Sequence, residues 1–366
     1  MKRILALLLA FIMIAGVAGC SFLQPQPEPT EPTEPSVMAP PEPVQKTIHV
    51  LLPAAGEGWD ADAAAQAMIA VEALQAEGVF LVETATYETP EQQAQLLADI
   101  AAKSTGDGSI GVVTMPASAE TDFSQLLEAN VAYALAGEIP QAAAAGSVAN
   151  VYHDQYAIGA AAAAYLVSKG LEEGDKVLLI SGLSDEEALR TEGFKLYLQG
   201  KLASEGEVIA DSWASLSSIV YSDMQGTTRE DAKNYFVSYM DSSSNAKTKY
   251  IAAWDDTYVL GILDALAGEE MDSDRKETFL KQTPNVTGFG GKKELCDLLS
   301  GAAPAENLSA FESVATIAHN ADILQKAVQS MAAYFAGAVV EQDQPQSILW
   351  VRNQTVTTEA AQEAAQ

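Results

Sequence analysis

The stretch Lys249–Gly268, "KYIAAWDDTYVLGILDALAG", decides the fold. Tyr250–Ala253 is a short apolar run that suits a strand buried on both faces. Trp254, Asp255 and Asp256 end it, and a helical pattern starts at once. A wholly apolar strand that passes directly into a helix belongs to a parallel sheet covered on both sides. The same unit recurs along the chain from Lys46. "TIHVLLP" precedes "DADAAAQAMIAVEALQAEG", "VFLVETAT" precedes "PEQQAQLLADIAAKS", "SIGVVTMP" precedes "DFSQLLEAN", and "VAYALAG" closes a first series. A second series begins with "GSVANVYH" and "QYAIGAAAAAYLVSKG". It continues through "KVLLISG", "EVIADSWA", "KYIAAW" and "NVTGFG", each followed by a helical run, and ends with "FESVATIAH", a helix, and the strand "SILWVRNQTVTT".

The run is too long for one comfortable sheet. The closing helix-then-strand tail does not supply the even cycle that an eight-stranded barrel needs. The expected fold is therefore α/β, with two doubly wound parallel-sheet lobes. In such sheets ligands bind at the carboxyl ends of the strands.

The leader "MKRILALLLAFIMIAGVAGCS" has two basic residues, an apolar stretch and small residues, the pattern of a secretory signal over residues 1–19. Val17-Ala18-Gly19-Cys20 resembles the bacterial lipobox, which implies cleavage before Cys20 and lipid on that cysteine. The segment that follows, up to residue 45, holds eight of the fifteen prolines and four glutamates. It reads as an extended tether that buries no core.

The formal charge is −30, and loss of a leader holding Lys2 and Arg3 makes the mature chain more acidic still. Such a surface repels nucleic acid and anionic lipid headgroups. The two cysteines and three histidines lack the spacing of a metal site, and Cys296 on a helical pattern reads as a small buried hydrophobe. A nucleophile elbow, a phosphate loop and a His-Glu-x-x-His motif are all absent from the sequence. Neither a cofactor nor an enzymatic role is expected. Paired carboxylates suited to glycan hydrolysis carry little weight in a chain this acidic.

The strand ends hold the candidate site residues. Trp59 follows "GEG" and suits stacking on a ligand face. Ser118 in "MPASAETD" suits a helix cap or a hydrogen bond to ligand. Asp154 in "VYHDQYAIG" is open to ligand contact or capping. Arg190 offers a fork of donors, with pairing to Glu186 or Glu187 as the plain alternative. Trp213, Asp255 and His319 complete the set. Asp256, at the helix start, suits the N-cap.

The order of these pieces resembles the type I periplasmic binding proteins, the sugar-binding lipoproteins of ABC importers, over about Lys46–Thr358. "GEGWDAD" looks like the family's aromatic turn, "DQYAIGAAAAAYL" its Asp/Asn-x-x-x-x-Gly helix, and "ALRTEGFKLYL" its Arg-x-x-Gly-Phe segment. "AAWDDTYVLGILDAL" resembles the strand that ends in paired acids, "VTGFGG" the Gly-Phe-Asp turn, and "ATIAHNADIL" a hinge crossing.

The resemblance implies lobes joined by three crossings, near Gly137, near His319–Asn320 and near Gln344–Ser347. The amino-terminal lobe would be residues 46–137 plus 320–344, and the carboxyl-terminal lobe 138–319 plus 345–366. It implies capture of a sugar-like ligand between closing lobes, a membrane permease as partner, an extracytoplasmic location and a monomer. A ligand-sensing ectodomain for a membrane kinase or chemoreceptor uses the same fold. Two family anchors are missing: Ala136-Gly137-Glu138 stands where many relatives have Asp-Arg, and Gly290 where many have Asp.

Overall fold

The computed structural model describes residues 45–54, 59–222, 224–304 and 308–352. The leader, Cys20, the tether before residue 45, Gly56 and Gly58 of the first turn, and the tail from residue 353 lie outside the described residues. The described residues form one compact unit.

In chain order the first half runs β1 (Thr47–Pro53), α1 (Trp59–Glu77), β2 (Leu81–Tyr87), α2 (Pro90–Lys103), β3 (Ile110–Thr114), α3 (Ser124–Glu128), β4 (Ala132–Ala136), α4 (Gln141–Ala144) and β5 (Ala149–Tyr152). The second half runs α5 (Gln155–Ser168), β6 (Val177–Ile180), α6 (Asp185–Leu198), β7 (Ile219–Tyr221), α7 (Arg229–Met240), β8 (Tyr250–Ala253), α8 (Asp256–Ala267), α9 (Ser273–Leu280), β9 (Asn285–Gly290), α10 (Lys293–Ser300) and β10 (Ser313–Ala318). The chain then adds α11 (Ile323–Phe335), β11 (Asp343–Pro345) and β12 (Leu349–Arg352).

Two six-stranded sheets result, in the orders β11-β5-β4-β3-β1-β2 and β12-β10-β9-β8-β6-β7. Every pairing is parallel except that of β12 with β10. Winding reverses between β1 and β3 in one sheet and between β6 and β8 in the other. The crevices that such reversals create lie outside Pro53 and Thr114, and outside Ile180 and Ala253.

Side-chain spacing explains the layers. In α1, Ala63, Ala67, Ala70 and Val71 are buried at one-turn and two-turn intervals. They meet Ile323, Leu324, Ala327, Val328 and Met331 of α11 on one face of the first sheet. Leu97 and Ile100 of α2 and Leu126 of α3 cover its other face. In the second sheet α5 and α6 cover one face, and α7 and α8 the other.

Two glycines set the α5–α6 contact. A Cβ at Gly159 would overlap the Arg190 carbonyl oxygen, and one at Gly193 would overlap the Tyr156 carbonyl oxygen. The backbones touch at this crossing, so any side chain there forces them apart. That is the physical content of the two spaced-glycine motifs, and it fixes Arg190 against the start of α5.

The chain changes sheets three times: between Tyr152 and α5, between Ala318 and α11, and between Pro345 and Leu349. The sequence reading expects the first of these near Gly137. β5 pairs with β4 and β11, so the chain leaves the first sheet at His153–Asp154 rather than near Gly137. The connection between β4 and β5 is the single turn α4, too short to announce another strand–helix unit of the same sheet.

A second correction concerns "EVIADSWA", which is irregular apart from one bridge between Ser204 and Glu207; the strand of that unit is β7, further on. Cys296 is half-buried on α10.

Candidate ligand cleft between the lobes

Five side chains form a continuous ladder from one lobe to the other. Trp59 opens α1 in the first lobe. Its ring lies 6.0 Å from His153 and 5.2 Å from His319, centroid to centroid. His153 and His319 sit on the first and second crossings and face each other at 5.0 Å. Phe289 of β9 follows at 4.4 Å from His319, and the Arg190 guanidinium covers the Phe289 ring at 3.8 Å.

The crossings are tied to one another as well. The Asn320 N–H donates to His153 Nε2 at 3.1 Å, which places the proton of the neutral ring on Nδ1. The Gln346 N–H donates to the Tyr152 carbonyl at 2.8 Å, and Lys326 donates to the Gln346 side chain.

The histidines are held neutral. Burial pushes His153 down to about 4, helped by the Arg190 charge. Burial pushes His319 down to about 3, helped by His153 and Arg190. Two buried polar atoms in this ladder have no hydrogen-bond partner among the described residues, Trp59 Nε1 and His319 Nδ1. A buried donor without a partner is costly, and a cleft that receives a polar molecule is one reason to leave it so.

Beside His153 a cavity of about 400 Å³ opens between the lobes. The ends of β4 and β5 and part of β11 form one wall, and the first turns of α5 and α6 form the other.

The other expected site residues divide. Arg190 is buried and engaged within its own lobe: Nε donates to Gln155 Oε1 at 2.7 Å, Nη1 to the Trp254 carbonyl at 2.8 Å, and Nη2 to Glu186 Oε2 at 2.9 Å. It shapes the wall of the cleft through these bonds. Asp154 caps α5, accepting from the Ala157 N–H at 3.0 Å, and still lines the cavity. Ser118 sits in a turn after β3, where its Oγ accepts from the Glu120 N–H at 3.3 Å, and starts no helix.

The N-cap role expected of Asp256 falls to Asp255. Asp255 is the N-cap of α8, accepting from the Thr257 N–H at 2.6 Å, and its half-exposed carboxylate stands 3.6 Å from Lys292 Nζ. Asp256 is wholly buried. It accepts from Thr316 Oγ1 at 2.6 Å and from the Lys292 N–H at 2.7 Å, and burial raises its carboxyl to about 6. The carboxylates thus terminate the strand as a cap and as a tie between the β8, β9 and β10 ends. Trp254 is core, 1% exposed, with its Nε1–H donated to Thr191.

Trp213 is also core, buried among Tyr197, Leu198 and Ile209, and does not reach the cleft. Its segment is not a strand, so it marks no strand end. His153, Phe289 and Gln155 belong to the cleft although sequence reasoning gave them no role. The signal for His153 was its place directly after a strand.

The missing family anchors have a local cause at one position. Gly290 has φ of 124°, a conformation that a side chain rarely tolerates, so an aspartate does not fit this turn. Phe289 beside it fills the space between Arg190 and His319.

No family model matches the sequence, and no curated protein matches it. Solved structures do. A periplasmic ribose ABC transporter protein from Conexibacter woesei superposes with a TM-score of 0.63 at 15% identity, covering 87% of this chain and 95% of its own. A glucose-galactose binding protein from Geobacillus stearothermophilus gives 0.56 at 15% identity, covering 86% and 99%. An ABC transporter solute binding protein from Agrobacterium vitis with bound D-fucose gives 0.56 at 14% identity, covering 86% and 98%. With its two parallel-sheet lobes and three crossings, the chain has the type I periplasmic binding protein fold.

Proposed function

We propose that the chain is an extracytoplasmic solute-binding protein, anchored by lipid on Cys20, that captures a small polar ligand between its lobes for an ABC importer. The ligand class suggested by the resemblance is a sugar or sugar derivative. The observation that carries the reading is the interlobe ladder, in which Trp59 and His319 hold buried polar atoms without a partner among the described residues and His153 also lines an open cavity. Capture by closure needs contacts from both lobes, so that the closed form is favoured only with ligand present. Trp59 belongs to one lobe, the Asp154 and Asp255 caps to the other, and His319 to the joint between them. The lipobox-like "VAGC" after an apolar leader supports the anchor, and the proline-rich tether gives the domain reach from a membrane. Among the described residues no helix is long and apolar enough to cross a membrane.

The test is a thermal-shift screen of the full-length chain in detergent against sugars, polyols, nucleosides, amino acids and amines. A ligand that binds only the folded state stabilises it by about 2.7 kcal/mol at a hundredfold excess over its dissociation constant. A saturable hit that Trp59→Ala weakens supports the reading. A folded protein that answers to nothing in the library contradicts it.

A further inference from the structure

The cavity between the lobes has an unusual charge. Five of its fourteen lining residues are acidic and none is lysine or arginine, whereas the whole chain has 50 acidic and 20 basic residues in 366. The excess therefore exceeds the general acidity of the surface. The acids come from both walls: Glu138 and Asp343 from the first lobe, and Asp154, Asp185 and Glu186 from the second.

Glu186 has a cation, Arg190 at 2.9 Å. That guanidinium is also committed to Gln155 and the Trp254 carbonyl. Among the described residues the other four acids form no ion pair. Asp154 and Asp185 have a local reason to be acidic, since they stand at the starts of α5 and α6. Asp343 accepts from Asn150 Nδ2 at 3.1 Å, and Glu138 has no such local reason among the described residues. The Glu186 carboxyl lies above its ordinary value chiefly through burial, with the Glu138 charge adding to the rise. Acids on opposite lobes thus feel each other across the gap.

The remaining lining mixes apolar and aromatic residues with the polar Asn150, His153 and Gln155. Tyr156 and Leu189 stand 39% and 37% exposed at the cavity, large hydrophobic side chains left open to solvent in a concave place. An aromatic ring beside carboxylates suits a cation with a carbon frame. A bare metal ion suits it poorly, because among the described residues no three His, Cys, Asp or Glu groups cluster closely enough to hold one.

We propose that this cavity takes a small organic cation, a protonated amine on a compact apolar or hydroxylated frame, held by carboxylates of both lobes and by the Tyr156 ring. The proposal rests on the solute-capture reading and narrows its ligand. It also supplies a trigger for closure. Bringing Glu138 and Asp343 toward Asp185 and Glu186 is opposed by like charge when the cavity is empty. A cation between them reverses the sign, so closure follows binding.

The test uses matched pairs on the full-length chain by calorimetry: glucosamine with glucose, putrescine with 1,4-butanediol, and choline with 3,3-dimethylbutanol. The amine of at least one pair binds and its neutral partner does not. Binding weakens on going from 50 to 500 mM salt, as a half-exposed charge interaction must. Glu138→Gln with Asp343→Asn lowers amine affinity about tenfold, about fivefold per carboxylate at most, without moving the melting temperature of the unliganded protein. Neutral members that bind as tightly as the amines overturn the cation proposal and leave solute capture standing. Calcium or magnesium that binds the cavity while amines do not also overturns it. Silence from every amine and every neutral compound overturns both.

Discussion

Lowering the pH from 7 to 5 should destabilise the fold, and the two crossing histidines set the size of the effect. In the unfolded chain a histidine titrates near 6.5; in the folded chain His153 lies at about 4 and His319 at about 3. The folded values are depressed, so the unfolded state takes up protons first. Stability due to the neutral rings is complete above 6.5 and drains away as pH falls toward 4 and 3. At pH 5 each ring has lost about 2 kcal/mol by this linkage. Asp256 works in the opposite direction. Its carboxyl is raised from 3.8 to about 6, so the folded state binds that proton first and regains about 1 kcal/mol over the same interval. At pH 5 the folded rings are still largely neutral and His153 still accepts from the Asn320 N–H, so the loss comes from proton uptake by the unfolded chain. Urea unfolding at pH 7 and pH 5 reads the effect, with the double variant His153→Gln and His319→Gln as the control. The wild type should lose about 4 kcal/mol more than the double variant between the two pH values. Equal pH dependence in the two proteins would refute the assignment of neutral, buried rings.

Other consequences follow from single contacts. Gly159→Ala or Gly193→Ala should separate α5 from α6 and cost about 1–3 kcal/mol by overpacking, read as a lower urea midpoint at unchanged slope. Trp213→Ala should destabilise by about 3–5 kcal/mol as a core truncation yet leave ligand affinity unchanged in the surviving folded protein. Trp59→Ala should instead weaken ligand binding. Asp256→Ala leaves Thr316 and the Lys292 N–H without their acceptor and should cost about 2–4 kcal/mol at pH 5, where the wild-type carboxyl is largely protonated and stabilising. Cys20→Ala should release the protein from the membrane fraction and abolish labelling by a radioactive fatty acid.

The layers were legible because apolar periodicity reports burial. β8 and α8 lie where "YIAAW" and "DDTYVLGILDAL" put them, and the stripe Ala63, Ala67, Ala70 and Val71 is visible in the letters. Sheet membership was harder. Nothing in "ANVY" says that it pairs with β4 across a one-turn link rather than opening the next sheet. The site was legible only as a set of strand ends. Periodicity cannot tell which of two adjacent aspartates turns inward, and the pairing of Asp256 with Thr316 depends on a strand 60 residues later. Trp213 misled because a tryptophan in an apolar run looks alike on a strand end and in a core. The histidine ladder was out of reach for the same reason: His153 and His319 meet only because the chain crosses twice at one place.

The most direct test of the account is the position of a bound ligand in a structure of the complex with the strongest hit from the screen. The account places it between the lobes, beside His153, in contact with Glu138 or Asp343 on one side and with the first turns of α5 and α6 on the other. A ligand seated on one lobe alone, away from the crossings, would contradict it.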